Sequence, residues 1–149
     1  VTKQVNATVL ELIKQKGQPK EGVEYVIKIC EELDLPMAIA SSSTLEIISA
    51  VVEKFEIGHK FKIIHSAEFE TYGKPHPAVY INAAKKLGVD PHHCLAIEDS
   101  ANGVLSAKAA KMHCIAVPEP ELRGDKRYGI ADKIANSLSD ITSDMIKTM

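Results

Sequence analysis

Apolar positions recur every four residues at Val1, Val5, Val9 and Ile13, with Leu10 and Leu12 beside them, until Gly17 and Pro19 break the pattern. This spacing predicts a helix over residues 1–16. A second helical stripe, Val23, Val26, Ile27, Cys30 and Leu33, stops at Pro36, and the period then changes. Met37–Ala40 is a short apolar run of the kind a buried strand shows. Ser43 with Glu46 three residues on reads as a capping box, opening a helix with Leu45, Ile48, Val52 and Phe55 on its apolar face and Gly58 closing it. Phe61–His65 is strand-like, Pro77 at a first helical position starts a helix to Leu87, and Gly88 ends it. Cys94–Ile97 and His113–Val117 predict two further strands, with an Ala-rich helix from about Asn102 to Ala110 between them. Pro118–Asp132 reads as a surface loop, Lys133–Asn136 as a weak edge strand and Ile141–Met149 as a short last helix.

Strands separated by helices of this length imply βαβ units, hence an α/β fold: a Rossmann-like parallel sheet with helices on both faces. Such sheets bind ligands beyond the carboxyl ends of their strands. Chemistry is therefore expected at Ser41–Ser43, between Ser66 and Lys74, at Glu98–Asp99–Ser100 and near Pro118.

Composition narrows the function classes. With 149 residues, 45% of them hydrophobic, the chain can bury a sizeable core as one domain. Its 18 basic and 20 acidic residues leave a net charge of −2, too weak a field to gather nucleic acid or an anionic membrane, and only 7 residues are Phe or Tyr. No apolar run nears the roughly 18 residues that span a bilayer, and residues 1–16 lack the marks of a secretory signal. Cys30, Cys94 and Cys114 form no CxxC pair and read as reduced thiols, so a cytoplasmic setting is expected.

Three strand ends carry candidate chemistry. Ser41–Ser43, between a strand end and a helix start, offer hydroxyls and unpaired backbone N–H groups to an anion; taken alone they equally suit a helix cap with spare serines. Lys74, in Lys74-Pro75-His76-Pro77, stands just outside a helix N-terminus and would add a mobile cation, or lie solvated in a loop. Glu98 and Asp99 are adjacent carboxylates directly after a strand, and a divalent cation such as Mg2+ would relieve their repulsion. Because side chains alternate along a strand, one of the pair is expected to bind metal directly and the other to support it. Competing signatures are missing: residues 17–22 make no P-loop, no GxGxxG follows a strand, no GxSxG surrounds Ser42, and the six histidines, with no HExxH, read as surface residues.

Hydroxyl, lysine and acidic pair in this order resemble the later motifs of the haloacid dehalogenase-like phosphohydrolases. The chain closely resembles the sugar-phosphate phosphatase and β-phosphoglucomutase branch, notably 2-deoxyglucose-6-phosphate phosphatases. The likeness is carried by Ile39-Ala40-Ser41-Ser42-Ser43, by Lys74-Pro75-His76-Pro77 with Val79-Tyr80, and by Ala96-Ile97-Glu98-Asp99-Ser100-Ala101-Asn102-Gly103, and it runs from about Pro19 to the end. It implies that Ser41 and Ser42 bind phosphate, that Lys74 holds phosphate and nucleophile together, that Glu98 and Asp99 hold Mg2+, and that Asn102 supports by hydrogen bonding.

One departure is large. Family members open on a strand bearing Asp-x-Asp-Gly, whose first aspartate attacks phosphorus and whose second is the general acid/base, and no Asp-x-Asp occurs in these 149 residues. The resemblance thus implies a core, residues 19–149, lacking its nucleophile strand, and only the last helix, residues 1–18, of a helical cap. The expected function is Mg2+-dependent hydrolysis of a small phosphorylated metabolite, a sugar phosphate first, through an aspartyl-phosphate in the full-length enzyme, with this chain inactive alone. A non-catalytic phosphate- or protein-binding module and a phosphosugar mutase are the alternatives. Without its central strand the chain is expected to be marginally stable, to pair Met37–Ala40 directly with Cys94–Ile97, or to recruit a strand from another copy or from the missing segment.

Overall fold

The structure, a computed structural model, describes residues 2–149. Helix α1 covers Thr2–Lys16; Val1, placed in that helix by its periodicity, lies outside the described residues. The chain continues as α2 (Val23–Glu32), β1 (Ala38–Ser41), α3 (Leu45–Lys54), β2 (Ile63–Ser66), α4 (Ala78–Leu87), β3 (Leu95–Glu98), α5 (Ala101–Ala109), β4 (His113–Ala116), β5 (Lys133–Ile134) and α6 (Ser143–Lys147), with short 3-10 turns between. The expected alternation is therefore present, with ends displaced by a residue or two.

Four local expectations are corrected. The N-cap of α3 is Thr44, not Ser43: the Thr44 hydroxyl accepts from the Ile47 N–H at 3.5 Å, whereas the Ser43 N–H turns back to the Ser41 hydroxyl at 3.1 Å. The left-handed residue after α3 is Glu56 (φ 54°), ahead of Gly58, which opens a 3-10 turn. Pro77 is the cap of α4 rather than its first residue. Residues 118–132 are more than surface loop, because two 3-10 turns fold there and bury Tyr128, whose hydroxyl donates to the Asp99 carbonyl at 2.8 Å.

All observed strand pairs are parallel, and they form two groups, β1–β2 and β3–β4–β5. Direct pairing of β1 with β3 is thereby excluded among the described residues. In a parallel ladder a residue's N–H and C=O point to the same side, alternating along the strand. The Met37 carbonyl accepts from Lys62 and the Cys94 carbonyl from His113, so odd positions of β1 and even positions of β3 face their partners. The backbones of Ala38, Ala40, Leu95 and Ile97 then face away, toward the interval between the two groups.

Packing follows the alternation of side chains. On β4, Cys114 and Ala116 join Val79, Tyr80, Val104 and Ala107 from α4 and α5, while Ile115 joins Val26 from α2 and Ile141 on the opposite face. The sheet is covered on both sides, as an α/β arrangement requires. Helix α1 lies on α3, where the Lys54 ammonium closes its C-terminus by donating to the carbonyls of Ile13 (2.6 Å) and Lys14 (3.0 Å).

Candidate active site

The carboxyl ends of β1 and β3 open into a cleft of about 480 Å³, lined by Ser41, Ser42 and Ser43, Lys74, Glu98, Asp99 and Ser100, with Lys20 at its wall. Five of the six sequence-derived candidates are therefore together. The sixth, Asn102, is exposed on α5 and does not line the cleft.

Lys74 is the link between the two strand groups. Its side chain is 10% exposed, and its ammonium donates to the Ala40 carbonyl at 3.1 Å on the free edge of β1, to the Tyr80 hydroxyl at 3.3 Å, and to Glu98 Oε1 at the end of β3. It also lies 4.6 Å from the centre of the Tyr80 ring. The turn that delivers it contains a cis Lys74–Pro75 bond. Neither a solvated loop lysine nor a helix-end ornament fits this burial.

The two carboxylates of the acidic pair differ. Glu98, 7% exposed, has Oε1 shared by Lys74 and the Tyr80 hydroxyl, and Oε2 accepting from the Ser100 N–H (3.4 Å) and hydroxyl (3.3 Å). It rests against Gly103, where a Cβ would overlap the carboxylate itself. Burial, reinforced by the negative Glu98 beside it, drives the Tyr80 phenol far above its ordinary range, so Tyr80 remains a donor. Asp99 faces the cleft, half exposed, and pairs with Lys20 at 2.8 Å, whose ammonium also reaches Glu119 at 2.5 Å. Desolvation opposes the charge on Lys20, but its bonds to Asp99 and Glu119 prevail and hold its pKa above the ordinary value.

Charge counting around the cleft shows what it can bind. Lys74 cancels Glu98, and Lys20 set against Asp99 and Glu119 leaves one negative charge. A phosphate monoester entering unaided would meet repulsion, whereas a divalent cation on Asp99 would reverse it. The donor set suits Mg2+, which needs only one or two protein carboxylates and takes its other oxygens from water and phosphate. No group of three His, Cys, Asp or Glu side chains able to hold a metal gathers among the described residues.

On the serine side, the Ser41 and Ser42 hydroxyls are available as donors. The N-terminus of α3 is partly filled from within, since the Leu45 N–H is taken by Glu68 at 3.0 Å. Lys20 is a site residue outside every predicted motif, and Tyr80 and Ser100 lie within quoted motifs but without a part of their own. Tyr80 was legible only as part of the run after Lys74, and two residues of helix separate it from Pro77.

Comparison with known proteins bears on the family and the fold. The family model of haloacid dehalogenase-like hydrolases matches residues 2–111. Hexitol phosphatase B of Escherichia coli K12 is 39% identical over 143 residues, which are 96% of this chain and 64% of that protein. The chain thus spans somewhat less than two thirds of that relative. CbbY of Rhodobacter sphaeroides, solved in complex with phosphate, superposes with a TM-score of 0.82 at 25% identity, over 93% of this chain and 64% of CbbY. A β-phosphoglucomutase of Clostridium difficile matches in fold with a TM-score of 0.85 at 24% identity, over 98% of this chain and 63% of its own.

Proposed function

The chain belongs to the haloacid dehalogenase-like hydrolases, and from that premise we propose that the protein it represents is a phosphatase of small sugar phosphates. The observation that carries this reading is the convergence of Ser41, Ser42, Lys74 and Asp99 in one cleft at the carboxyl ends of parallel strands. The phosphatase name of the 39% identical relative supports the reaction class.

In the proposed reaction the Ser41 and Ser42 hydroxyls and the Lys74 ammonium hold the phosphoryl oxygens, and Asp99 holds Mg2+. When bound, Mg2+ neutralises phosphoryl charge and helps orient the group. Glu98 acts behind Lys74: with Tyr80 it fixes the ammonium at the strand ends, where a phosphate or an attacking carboxylate would take over an N–H that Lys74 now gives to Ala40, Tyr80 or Glu98. The nucleophile is an aspartate on a further parallel strand lying between β1 and β3, whose facing edges are unpaired among the described residues. Its carboxylate oxygen bonds phosphorus as the phosphorus–oxygen bond to the sugar breaks and the sugar oxygen takes a proton from the second aspartate of that strand; water, giving a proton back to the same aspartate, then cleaves the aspartyl-phosphate to inorganic phosphate. Residues 19–149 form the core in this reading, and residues 1–18 the last helix of a cap that selects substrate. The setting is cytoplasmic; no helix among the described residues is long and apolar enough to cross a membrane.

The test is phosphate release from a hexitol 6-phosphate by the chain joined to an N-terminal segment carrying the Asp-x-Asp strand. Mg2+-dependent release that Lys74→Ala abolishes is expected. Isomerisation of an aldose phosphate without release would instead identify a mutase, and loss of binding to all phosphorylated sugars would overturn the reading.

A further inference from the structure

Behind the cleft, residues 66–70 make bonds that no motif in the sequence reveals. Ser66, the last residue of β2, is fully buried; its hydroxyl donates to the Ser43 carbonyl at 2.6 Å and accepts from the Glu68 N–H at 3.1 Å. Glu68, in the 3-10 turn Ala67–Phe69, reaches over to the Leu45 N–H at 3.0 Å. Glu70 ties the other end of the segment down: it accepts from the Asn82 amide at 2.8 and 2.9 Å and pairs with His65 at 2.5 Å, while the Lys86 ammonium lies 3.0 Å from the other ring nitrogen of His65. His65 is 3% exposed, which corrects the reading of all six histidines as surface residues.

None of Ser66, Glu68 and Glu70 lines the cleft. They nevertheless join its two anion-binding parts, because Ser66 and Glu68 hold the Ser41–Ser43 loop and α3, and Glu70 holds α4, whose approach delivers Lys74. Thr44 caps α3 at the Ile47 N–H, and Glu68 takes a different N–H of the same first turn, that of Leu45. A second cap supplied from 23 residues away fixes one element relative to another rather than extending a helix.

We propose that Ser66 and Glu68 are positioning residues that set the distance between the Ser41–Ser43 loop and Lys74, and through it the affinity for a phosphoryl group they never touch. The proposal rests on the reading of the cleft as a phosphate site. An internal carboxylate at the α3 N-terminus also assigns the phosphoryl group to the serine hydroxyls and Lys74 rather than to the helix end. Removing the Glu68 charge would by itself tighten an anion, so the hydrogen bond and the charge predict opposite signs.

The experiment is a titration of the 15N-labelled chain with inorganic phosphate in the presence of Mg2+, for the unsubstituted chain, Glu68→Ala, Glu68→Gln and, as a control on α3 itself, Glu46→Ala. Glu68→Ala should weaken phosphate about fivefold, the worth of one hydrogen bond, with a thermal midpoint close to that of Glu46→Ala. Glu68→Gln, whose amide oxygen can still accept from Leu45, should bind at least as tightly as the unsubstituted chain. In ligand-free samples Glu68→Ala, but not Glu46→Ala, should move the amide signals of Ser42 and Lys74. Phosphate binding by Glu68→Ala as tight as the unsubstituted chain, or Glu68→Gln as weak as Glu68→Ala, would overturn the proposal. If the unsubstituted chain shows no phosphate response at Ser41–Ser43, the phosphate reading itself fails. The ligand-free signals then decide the positioning claim: movement of Ser42 and Lys74 upholds it and their stillness overturns it.

Discussion

Replacing Gly103 by Ala sets helix propensity against packing. Gly103 lies in the first turn of α5, where Ala is favoured over Gly by about 1 kcal/mol. Its added Cβ, however, would coincide with the Glu98 carboxylate, a buried group held by Lys74, Tyr80 and Ser100. Either the helix moves, at an overpacking cost of about 1–3 kcal/mol, or Glu98 leaves Lys74, and losing one partner of a buried ion pair costs about 3–5 kcal/mol. Helix α5 is packed against β3 and β4, so Glu98 is the part that yields. Less the gain in propensity, the net loss is about 2–4 kcal/mol, a large part of a typical stability of about 5–15 kcal/mol. Urea unfolding followed by far-ultraviolet circular dichroism reads this directly; at a slope of about 2 kcal/mol per molar, the midpoint falls by about 1–2 M. Gly129→Ala, where an added Cβ meets nothing within 4 Å, should leave the midpoint almost unchanged. The decisive comparison is Gly103→Ala in a Glu98→Ala background, where the clash is gone and the substitution should turn neutral or stabilising. Equal destabilisation in both backgrounds, or stabilisation of the unsubstituted chain, would refute this reasoning.

Three further outcomes are expected. Tyr80→Phe removes a donor from a buried carboxylate and should cost about 1.5–3 kcal/mol in the same unfolding assay; a loss within experimental error would mean that Lys74 alone satisfies Glu98. Burial, with Glu98 nearby, pushes the Cys114 thiol up to about 12, above its unfolded value near 8.5, so its contribution to stability is full below about pH 8.5 and is lost as pH rises toward 12; Ellman's reagent should react with Cys30 and Cys94 well before Cys114, and early reaction at Cys114 would contradict its burial. Hydrogen exchange in a dilute sample of the chain alone should be fast at Ala38, Ala40, Leu95 and Ile97, which face the interval, and slow at Ile39 and Ala96, which face paired strands; strong protection at the first four in a monomer would reject an open interval.

Much of the fold was legible because apolar period and breakers act locally. The runs at 37–40 and 94–97 needed only their apolar character to be read as buried strands, and Gly88 with φ 76° ended α4 where expected. The cap of α3 was misplaced because Ser43 and Thr44 are equally good cap residues in sequence, and the choice between them is made by Ser41 and Ser66, which hold Ser43 in its turn. The candidate cleft was legible as three strand ends, since a parallel sheet places those ends side by side. Its internal division of labour was not. That Glu98 is buried on Lys74 while Asp99 faces the cleft depends on which face of β3 each side chain leaves from, and on Tyr80 arriving from a different helix. His65 was misread for a similar reason: its partners Glu70, Asn82 and Lys86 are scattered along the sequence and meet only when α4 packs on β2.

The central claim is that Lys74, the serines and Asp99 form a phosphatase site whose nucleophile stands on a strand between β1 and β3. Turnover of p-nitrophenyl phosphate by the purified 149-residue chain with Mg2+ tests it most directly. The chain alone should release no nitrophenolate above the uncatalysed rate, and an N-terminal segment carrying the Asp-x-Asp strand should restore Mg2+-dependent release. Turnover by the chain alone that Lys74→Ala abolishes would show that another of its residues attacks phosphorus and would contradict the mechanism.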